Sequence, residues 1–166
     1  MPGSQFSIRV ASAADIETLV ALRAQLIDRA SEASYASRNA DESLRWKIAY
    51  NEWLGQVLGV ADHVHVLVAV NADGLIGCAT GIVDCRPPAP DCLSGGCGWI
   101  QSVVVLRQWR RHGIAIGLMR DLLDWFTSRD VSKVVLEATS EAEILYQKLG
   151  FVRSPESLFV RDGGRP

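Results

Sequence analysis

No stretch of the sequence approaches the roughly 18–20 consecutive apolar residues that a membrane-crossing helix needs, so a spanning helix is not expected. Met1 to Phe6 is short and polar, without a basic segment ahead of an apolar one, and no secretory leader is expected either. Positive charge is not in excess: 17 lysines and arginines against 19 acidic residues leave a net charge of −2. A general nucleic-acid binder draws its affinity from a broad basic surface, so that class is set aside. Of the four cysteines, Cys78, Cys85, Cys92 and Cys97, only Cys92 and Cys97 come near zinc-ligand spacing. With no second close pair, no metal site is expected. Repeats and low-complexity tracts are missing. No Gly-Lys-(Ser/Thr) triplet is present, which excludes a Walker-type nucleotide hydrolase.

What remains is a chain of 166 residues, long enough for one domain over 1–166 with a substantial core. An apolar share of 48% and a charged share of 22% are those of an ordinary globular protein. The even number of cysteines permits disulfides, but a cytoplasmic location with reduced thiols is expected.

Ile8 to Val10 reads as a short strand, and Ser12 to Asp15 as a helix start. Ile16, Leu19, Val20, Arg23, Leu26 and Ile27 follow at helical spacing. Ser31 to Asn39 is polar and reads as a loop, and Asp41 to Leu58 as a second helix. Val64–Val70 and Leu75–Val83 read as strands joined by the turn-rich Asn71-Ala72-Asp73-Gly74. The prolines and glycines of Arg86–Gly98 predict a loop. Trp99–Val105 then reads as a central strand, Ile114 to Phe126 as an amphipathic helix, and Val131–Glu137 as another strand. Ser140 and Glu143 have capping-box spacing for a helix ending at Gly150, and Leu158–Val160 is a candidate last strand.

Several side chains invite chemistry and have plainer readings. His63 and His65 alternate along a strand, where histidines decorate an exposed face. Trp46, Tyr50 and Trp53 either line a pocket or, as aromatic residues at helical spacing usually do, belong to the core. Asp28, Glu32, Asp41, Glu42 and Glu52 would favour a cationic ligand, although solvated surface charge explains them equally.

The most informative stretch is Trp99 to Met119, WIQSVVVLRQWRRHGIAIGLM. A β-branched run (Val103, Val104, Val105) gives way to a basic turn, and a helix opens on small residues at Gly113, Ala115 and Gly117. The first amides of a helix have no intrahelical acceptor, and the macrodipole adds partial positive charge there. Glycine and alanine let those amides close around phosphate oxygens. Arg110, Arg111 and His112 add charge beside them. The compact cluster suits one small polyanion.

Arg110-Arg111-His112-Gly113-Ile114-Ala115 resembles the (Arg/Gln)-x-x-Gly-x-(Gly/Ala) signature of the GCN5-related N-acetyltransferases. Ile8–Arg23 is similar to that family's opening strand and first helix. Leu136–Phe151 is similar to its closing strand, helix and Leu-Tyr-x-x-x-Gly-Phe element. The resemblance implies an α+β fold, a mixed and largely antiparallel central sheet flanked by helices, with acetyl-CoA as cosubstrate. It implies that Trp99–Val105 splays from Lys133–Glu137, that Val103, Val104 and Val105 run beside pantetheine, and that the amides from Arg111 to Ile116 hold the pyrophosphate. Thr139, with Ala138 before it, stands where many relatives carry an asparagine that touches pantetheine.

Tyr146 is implied as the acid that protonates the departing thiolate. The central strand reads Trp99-Ile100-Gln101-Ser102, without the glutamate that many relatives carry there as base. Glu137 is the nearest substitute by sequence, with Asp84, His112 and ordered water as alternatives. The implied activity is acetyl transfer to a primary amine of a small molecule. The alternatives are a protein or peptide acceptor, or a non-catalytic CoA-binding regulatory domain. No nucleic-acid or membrane partner is expected, and a homodimer is compatible with the reading. Acceptor choice would lie with Ser31–Val60 and Arg86–Gly98.

Overall fold

Apolar alternation along Val64–Asn71 sets the plan of the molecule. Val66 and Val68 face one layer of helices, while Leu67 and Ala69 face the other, and all four are buried. A strand covered on both faces reads as a continuous apolar run, and here it is one. The computed structural model describes residues 6–29, 33–161 and 163. The polar start Met1–Gln5, the opening of the expected Ser31–Asn39 loop and Glu32 lie outside the described residues.

In chain order the elements are β1 (Ser7–Val10), a 3₁₀ turn at Ala13–Asp15, α1 (Ile16–Ile27), α2 (Ala40–Val57), β2 (Val64–Asn71) and β3 (Gly74–Cys85). There follow β4 (Gly96–Val105), a second 3₁₀ turn at Arg107–Trp109, α3 (Ile114–Ser128), β5 (Lys133–Leu136) and α4 (Glu143–Lys148). The strands form one sheet in the order β1-β2-β3-β4-β5, antiparallel except for the parallel pair β4–β5. This is the mixed, largely antiparallel sheet that was expected. The face carrying Leu67, Ala69, Ile76 and Ile100 packs on Ile114, Leu118, Met119, Leu122 and Phe126 of α3. The opposite face, with Val66, Val68, Cys78 and Val104, packs on Leu19 and Leu22 of α1 and on Tyr50 and Leu54 of α2.

Several readings differ from the structure, and β5 is shorter than expected, Lys133–Leu136. β4 begins at Gly96, not Trp99, because Val83, Asp84 and Cys85 continue the ladder onto Gly98, Cys97 and Gly96. A Cβ on Gly98 would lie 2.7 Å from the Phe126 ring, so a glycine is required for α3 to approach the sheet. Ser140 does not cap α4. A turn from Ala142 N to Thr139 O (2.9 Å) precedes the helix, and the Glu143 carboxylate accepts from Arg153 at 2.8 and 2.7 Å. Leu158–Val160 is not a strand. A bend in which Glu156 N donates to Ser154 Oγ (3.3 Å) precedes it, and its three side chains are exposed. His65 does not decorate an open face: α3 lies over β2 and stacks Trp125 on the imidazole, with ring centroids 4.8 Å apart. Burial, and Arg129 nearby, lower the His65 pKa. The four cysteines are free thiols.

Asp15 ties β1 to α1. Its carboxylate accepts from Arg9 Nη1 and Nη2 (2.7 and 2.9 Å) and from Ser12 N (2.8 Å). The Arg9 bonds, opposed by burial and aided by Ser12, lower its pKa to about 2. A folded-state pKa below the unfolded one contributes stability that is complete above about pH 4 and is lost as pH falls toward about 2. Arg9 is partly exposed, so the full linkage value is reduced by screening. Asp15→Asn is expected to cost about 1–2 kcal/mol at pH 7 and almost nothing near pH 2. Urea unfolding of parent and variant at both pH values checks this.

Candidate active site

Between β3 and β4 the pairing passes from Cys78↔Val104 to Thr80↔Gln101, so β4 carries an extra residue across that interval. The bulge centres on Ser102, whose φ of 54° lies in the left-handed region. Past the bulge β4 bends, and its ladder with β5 ends at Ile100↔Leu136. Leu106 N donates to Ile76 O of β3 (2.9 Å). Backbone groups alternate along a strand, so those of Val103 and Val105 face the gap that β5 leaves open.

Two cavities lie along this gap, and a third adjoins them where α1 and α2 cover β3 and β4. The first, about 380 Å³, follows Val103, Val104 and Val105 to the basic turn. Arg110, Arg111, Gly113, Ile114, Ala115 and Ile116 line that end, and Thr139 and Tyr146 the other. The middle cavity, about 350 Å³, shares Val103, Thr139 and Tyr146 with the first, and adds Gln101, Ser102 and Glu137. The third, about 380 Å³, shares Arg23, Gln101 and Ser102 with the middle one and is walled by Trp46, Tyr50 and Trp53. Thus the aromatic side chains of α2 serve both readings: Tyr50 is buried in the core, while half-buried Trp46 and Trp53 face a chamber.

The turn sets unpaired backbone amides beside two arginines. Arg111 and Gly113 both have left-handed backbone (φ 63° and 80°), and the first α3 bond runs from Gly117 N to Gly113 O at 2.9 Å. The amides of Ile114, Ala115 and Ile116 therefore precede the helical ladder. Five buried apolar side chains hold α3 in place behind them. His112 does not line the cavity. Its Nδ1 lies 2.8 Å from Arg110 O and its ring meets Trp109 edge-on, so it braces the turn. Arg110 Nε donates to Val105 O at 3.4 Å.

Tyr146 is buried where the first two cavities meet, edge-on to Phe151. Burial, and Tyr35 nearby, raise its pKa above the ordinary phenol value. Glu137 follows the last residue of β5 and lines the middle cavity opposite Gln101. Asp84 lies at the far end of β3, 3.5 Å from Arg86, away from the cavities. The described acidic residues of the variable region, Asp28, Asp41, Glu42 and Glu52, lie outside the chambers as well: Asp28 pairs with Lys47 and Asp41 with Arg45, at 2.6 and 2.8 Å. No residue of 86–98 lines the three cavities, so that loop does not border them as expected.

Sequence reasoning missed Arg23, Tyr35 and Thr80 as site residues. Arg23 had a signal, a lone charge on the apolar stripe of α1. Its guanidinium lies 4.3 Å from the Tyr50 ring centroid, and burial lowers its pKa. Burial also pushes the Tyr50 phenol up to about 12. Among the described residues no group of histidine, cysteine and acidic side chains is arranged to hold a metal, and no helix is long and apolar enough to cross a membrane.

The model of the acetyltransferase (GNAT) family matches residues 24–151. No curated protein matches the chain. Among solved structures, a predicted acetyltransferase with acetyl-CoA from Clostridium acetobutylicum is 23% identical, with TM-score 0.79 over 95% of this chain and 96% of that one. Glucosamine-6-phosphate N-acetyltransferase from Arabidopsis thaliana is 18% identical, with TM-score 0.72 over 95% and 98%. An aminoglycoside antibiotic 6'-N-acetyltransferase from Acinetobacter baumannii is 18% identical, with TM-score 0.69 over 97% and 100%. At such identities the likeness is one of fold.

The bulge itself is open to test. Valine, branched at Cβ, tolerates the backbone of Ser102 poorly, whereas glycine adopts it freely. Ser102→Val is expected to cost about 1–2 kcal/mol and Ser102→Gly less than about 1 kcal/mol. Chemical denaturation of the two variants measures the difference, and equal stabilities would refute the assignment of strain.

Proposed function

The chain belongs to the acetyltransferase (GNAT) family, and on that premise we propose that it moves an acetyl group from acetyl-CoA directly to the primary amine of a small molecule. The observation that carries this reading is a series of three adjoining cavities, two along the gap between β4 and β5 and the third between α1, α2 and the sheet. An anion-binding turn stands at one end, Tyr146 in the middle and an aromatic chamber at the other. Acetyl-CoA, when bound, supplies an acyl thioester, an electrophile whose leaving group is a thiolate.

The residues present fit that cosubstrate. Left-handed backbone at Arg111 and Gly113 and the leading amides of Ile114, Ala115 and Ile116 suit a pyrophosphate, with the Arg110 and Arg111 guanidinia beside them. The gap-facing N–H and C=O groups of Val103 and Val105 suit the amides of pantetheine, which would take the place of a missing strand. Val104 and Thr139 complete that wall, and His112 holds the turn in shape.

Tyr146 Oη would give its proton to the thiolate. Its raised pKa keeps the phenol protonated throughout the neutral range, so the donor is always loaded. An ammonium must lose a proton before it attacks. Glu137 would take it, directly or through a water oriented by Gln101, which itself accepts no proton at neutral pH. A small acceptor is supported by the chamber's size, about 380 Å³, and by the aromatic side chains of Trp46, Tyr50 and Trp53 that line it. Buried Tyr146, placed where the cavities join, favours catalysis over a purely regulatory role. A cytoplasmic site of action belongs to the same proposal, because acetyl-CoA is the donor and the cysteines are free thiols.

Thermal shift with CoA, followed by a thiol-release screen over amines, tests the proposal. A ligand of the folded state at 100 times its dissociation constant stabilises by about 2.7 kcal/mol. Gly113→Glu, which adds bulk and negative charge to the turn, is expected to remove that shift while the fold remains. A variant that binds CoA as tightly as the parent would move the site elsewhere.

Tyr146→Phe keeps the ring and its contact with Phe151 but loses the donor. It is expected to lower the single-turnover rate by about 10²–10⁴-fold, or about 3–5 kcal/mol of barrier, with CoA affinity nearly unchanged. A parental rate would remove Tyr146 from the mechanism.

A further inference from the structure

Acetyl transfer as described leaves Arg23 without a task, although the residue occupies the junction between the middle cavity and the aromatic chamber. Its guanidinium lies 4.3 and 5.9 Å from the ring centroids of Tyr50 and Trp46. Arg23 Nε is buried there without a hydrogen-bond partner, and Tyr50 Oη, with Thr80 nearby, makes no hydrogen bond of good geometry. Among the described residues no carboxylate pairs with Arg23, since Asp15, Asp28 and Asp41 are taken by Arg9, Lys47 and Arg45. Aromatic faces compensate a desolvated cation only in part. A ligand that brings an anion would complete the site.

We infer that the acceptor is a primary amine bearing both a carboxylate and an apolar body, in the manner of an aromatic or large aliphatic amino acid, with the carboxylate received by Arg23 and the Tyr50 hydroxyl. This rests on the acetyl transfer proposed above. Among the described residues Arg23 is the only charged one lining the aromatic chamber, so one negative charge is what the chamber balances. A carboxylate is acceptor-only and matches the guanidinium fork. A phosphate monoester carries about −1.5 to −2 charge, more than the single Arg23 guanidinium balances. A polycationic amine would set further positive charge beside Arg23. Trp46, Trp53 and Ile82 offer apolar walls for the body of the ligand. With its carboxylate held at Arg23, the amine of such a molecule lies toward Gln101 and Ser102, which both cavities share, and so toward Tyr146.

The test uses matched pairs: phenylalanine with phenethylamine, tryptophan with tryptamine, and leucine with isopentylamine. The rate of CoA release is measured for parent, Arg23→Met and Arg23→Lys, and the shift in melting temperature with CoA is recorded for each. The parent is expected to favour the carboxylate member of at least one pair by about 10²-fold in kcat/KM. Arg23→Met is expected to abolish that preference without lowering kcat/KM for the decarboxylated partner, while Arg23→Lys restores part of it. Thermal protection by CoA should be the same in all three proteins.

Three results would overturn the inference: turnover of no carboxylate member, equal rates within every pair, or an equal loss for both members in Arg23→Met. The last would assign Arg23 to the transfer step itself. CoA protection separates the two levels. If it persists, only the acceptor assignment fails; if the parent shows none, acetyl transfer fails with it.

Discussion

The misfit between β3 and β4 governs the working half of the molecule. From Cys78 to Thr80 one strand spans what the other covers from Val104 to Gln101, and Ser102 absorbs the surplus in left-handed backbone. A bulge bends its strand and strengthens the local twist. Here the bend carries the second half of β4 away from β5, whose four residues pair no further than Leu136. A sheet that closed would satisfy its own hydrogen bonds. This one leaves the backbone of Val103 and Val105 turned to a gap and places Tyr146, Glu137 and the basic turn along it.

The rigid parts of the fold hold that gap open. Phe126 lies tight against Gly98 and close to Gly81, so α3 is clamped to the sheet directly behind β4. Because α3 cannot shift, its first amides stay aimed at the mouth of the gap. Across the sheet, α1 and α2 meet β2, β3 and β4 through Leu19, Leu22, Leu54 and Val104, which fixes Arg23 and Tyr50 over the far end. The site therefore lies among three packed helices rather than on the connection from Arg86 to Gly95, which carries the isolated bridge Ala89↔Cys92. Proline and glycine make that loop irregular, but irregularity alone brought it no part in the cavities.

Charge is divided with similar economy. Several surface acids, Asp28, Asp41, Asp91 and Glu143 among them, pair with nearby bases, and the Asp28 carboxylate also accepts from Ser37, Ser43 and Trp46. Within the cavities the charged groups are few: the basic turn, with Arg29 and Glu141 beside it, at one end, Glu137 in the middle, and Arg23 at the junction with the chamber. Charges set along a cavity wall are screened less than those on the open surface, which is why single residues carry so much of the functional reading.

Local pattern was enough to expect the elements and the anion-binding turn. The periodicities of α1, α2 and α3, the hairpin at Asn71–Gly74 and the glycine-containing turn at Arg110–Ala115 are encoded by neighbours in the chain, so short-range chemistry determines them. The order of the motifs also pointed to the sheet and to Tyr146. Tertiary structure decided what depends on residues distant in sequence. It decided that β4 starts at Gly96, because Cys85 lies opposite, and that His65 stacks on Trp125. It turned the Glu143 carboxylate to Arg153, and it left Leu158–Val160 unpaired. It also set a lone arginine from the apolar stripe of α1 against Tyr50 of α2 at the junction of two cavities. A register, a stacked ring or a desolvated cation exists only when two segments meet, and the free energy that settles it comes from the packing between them.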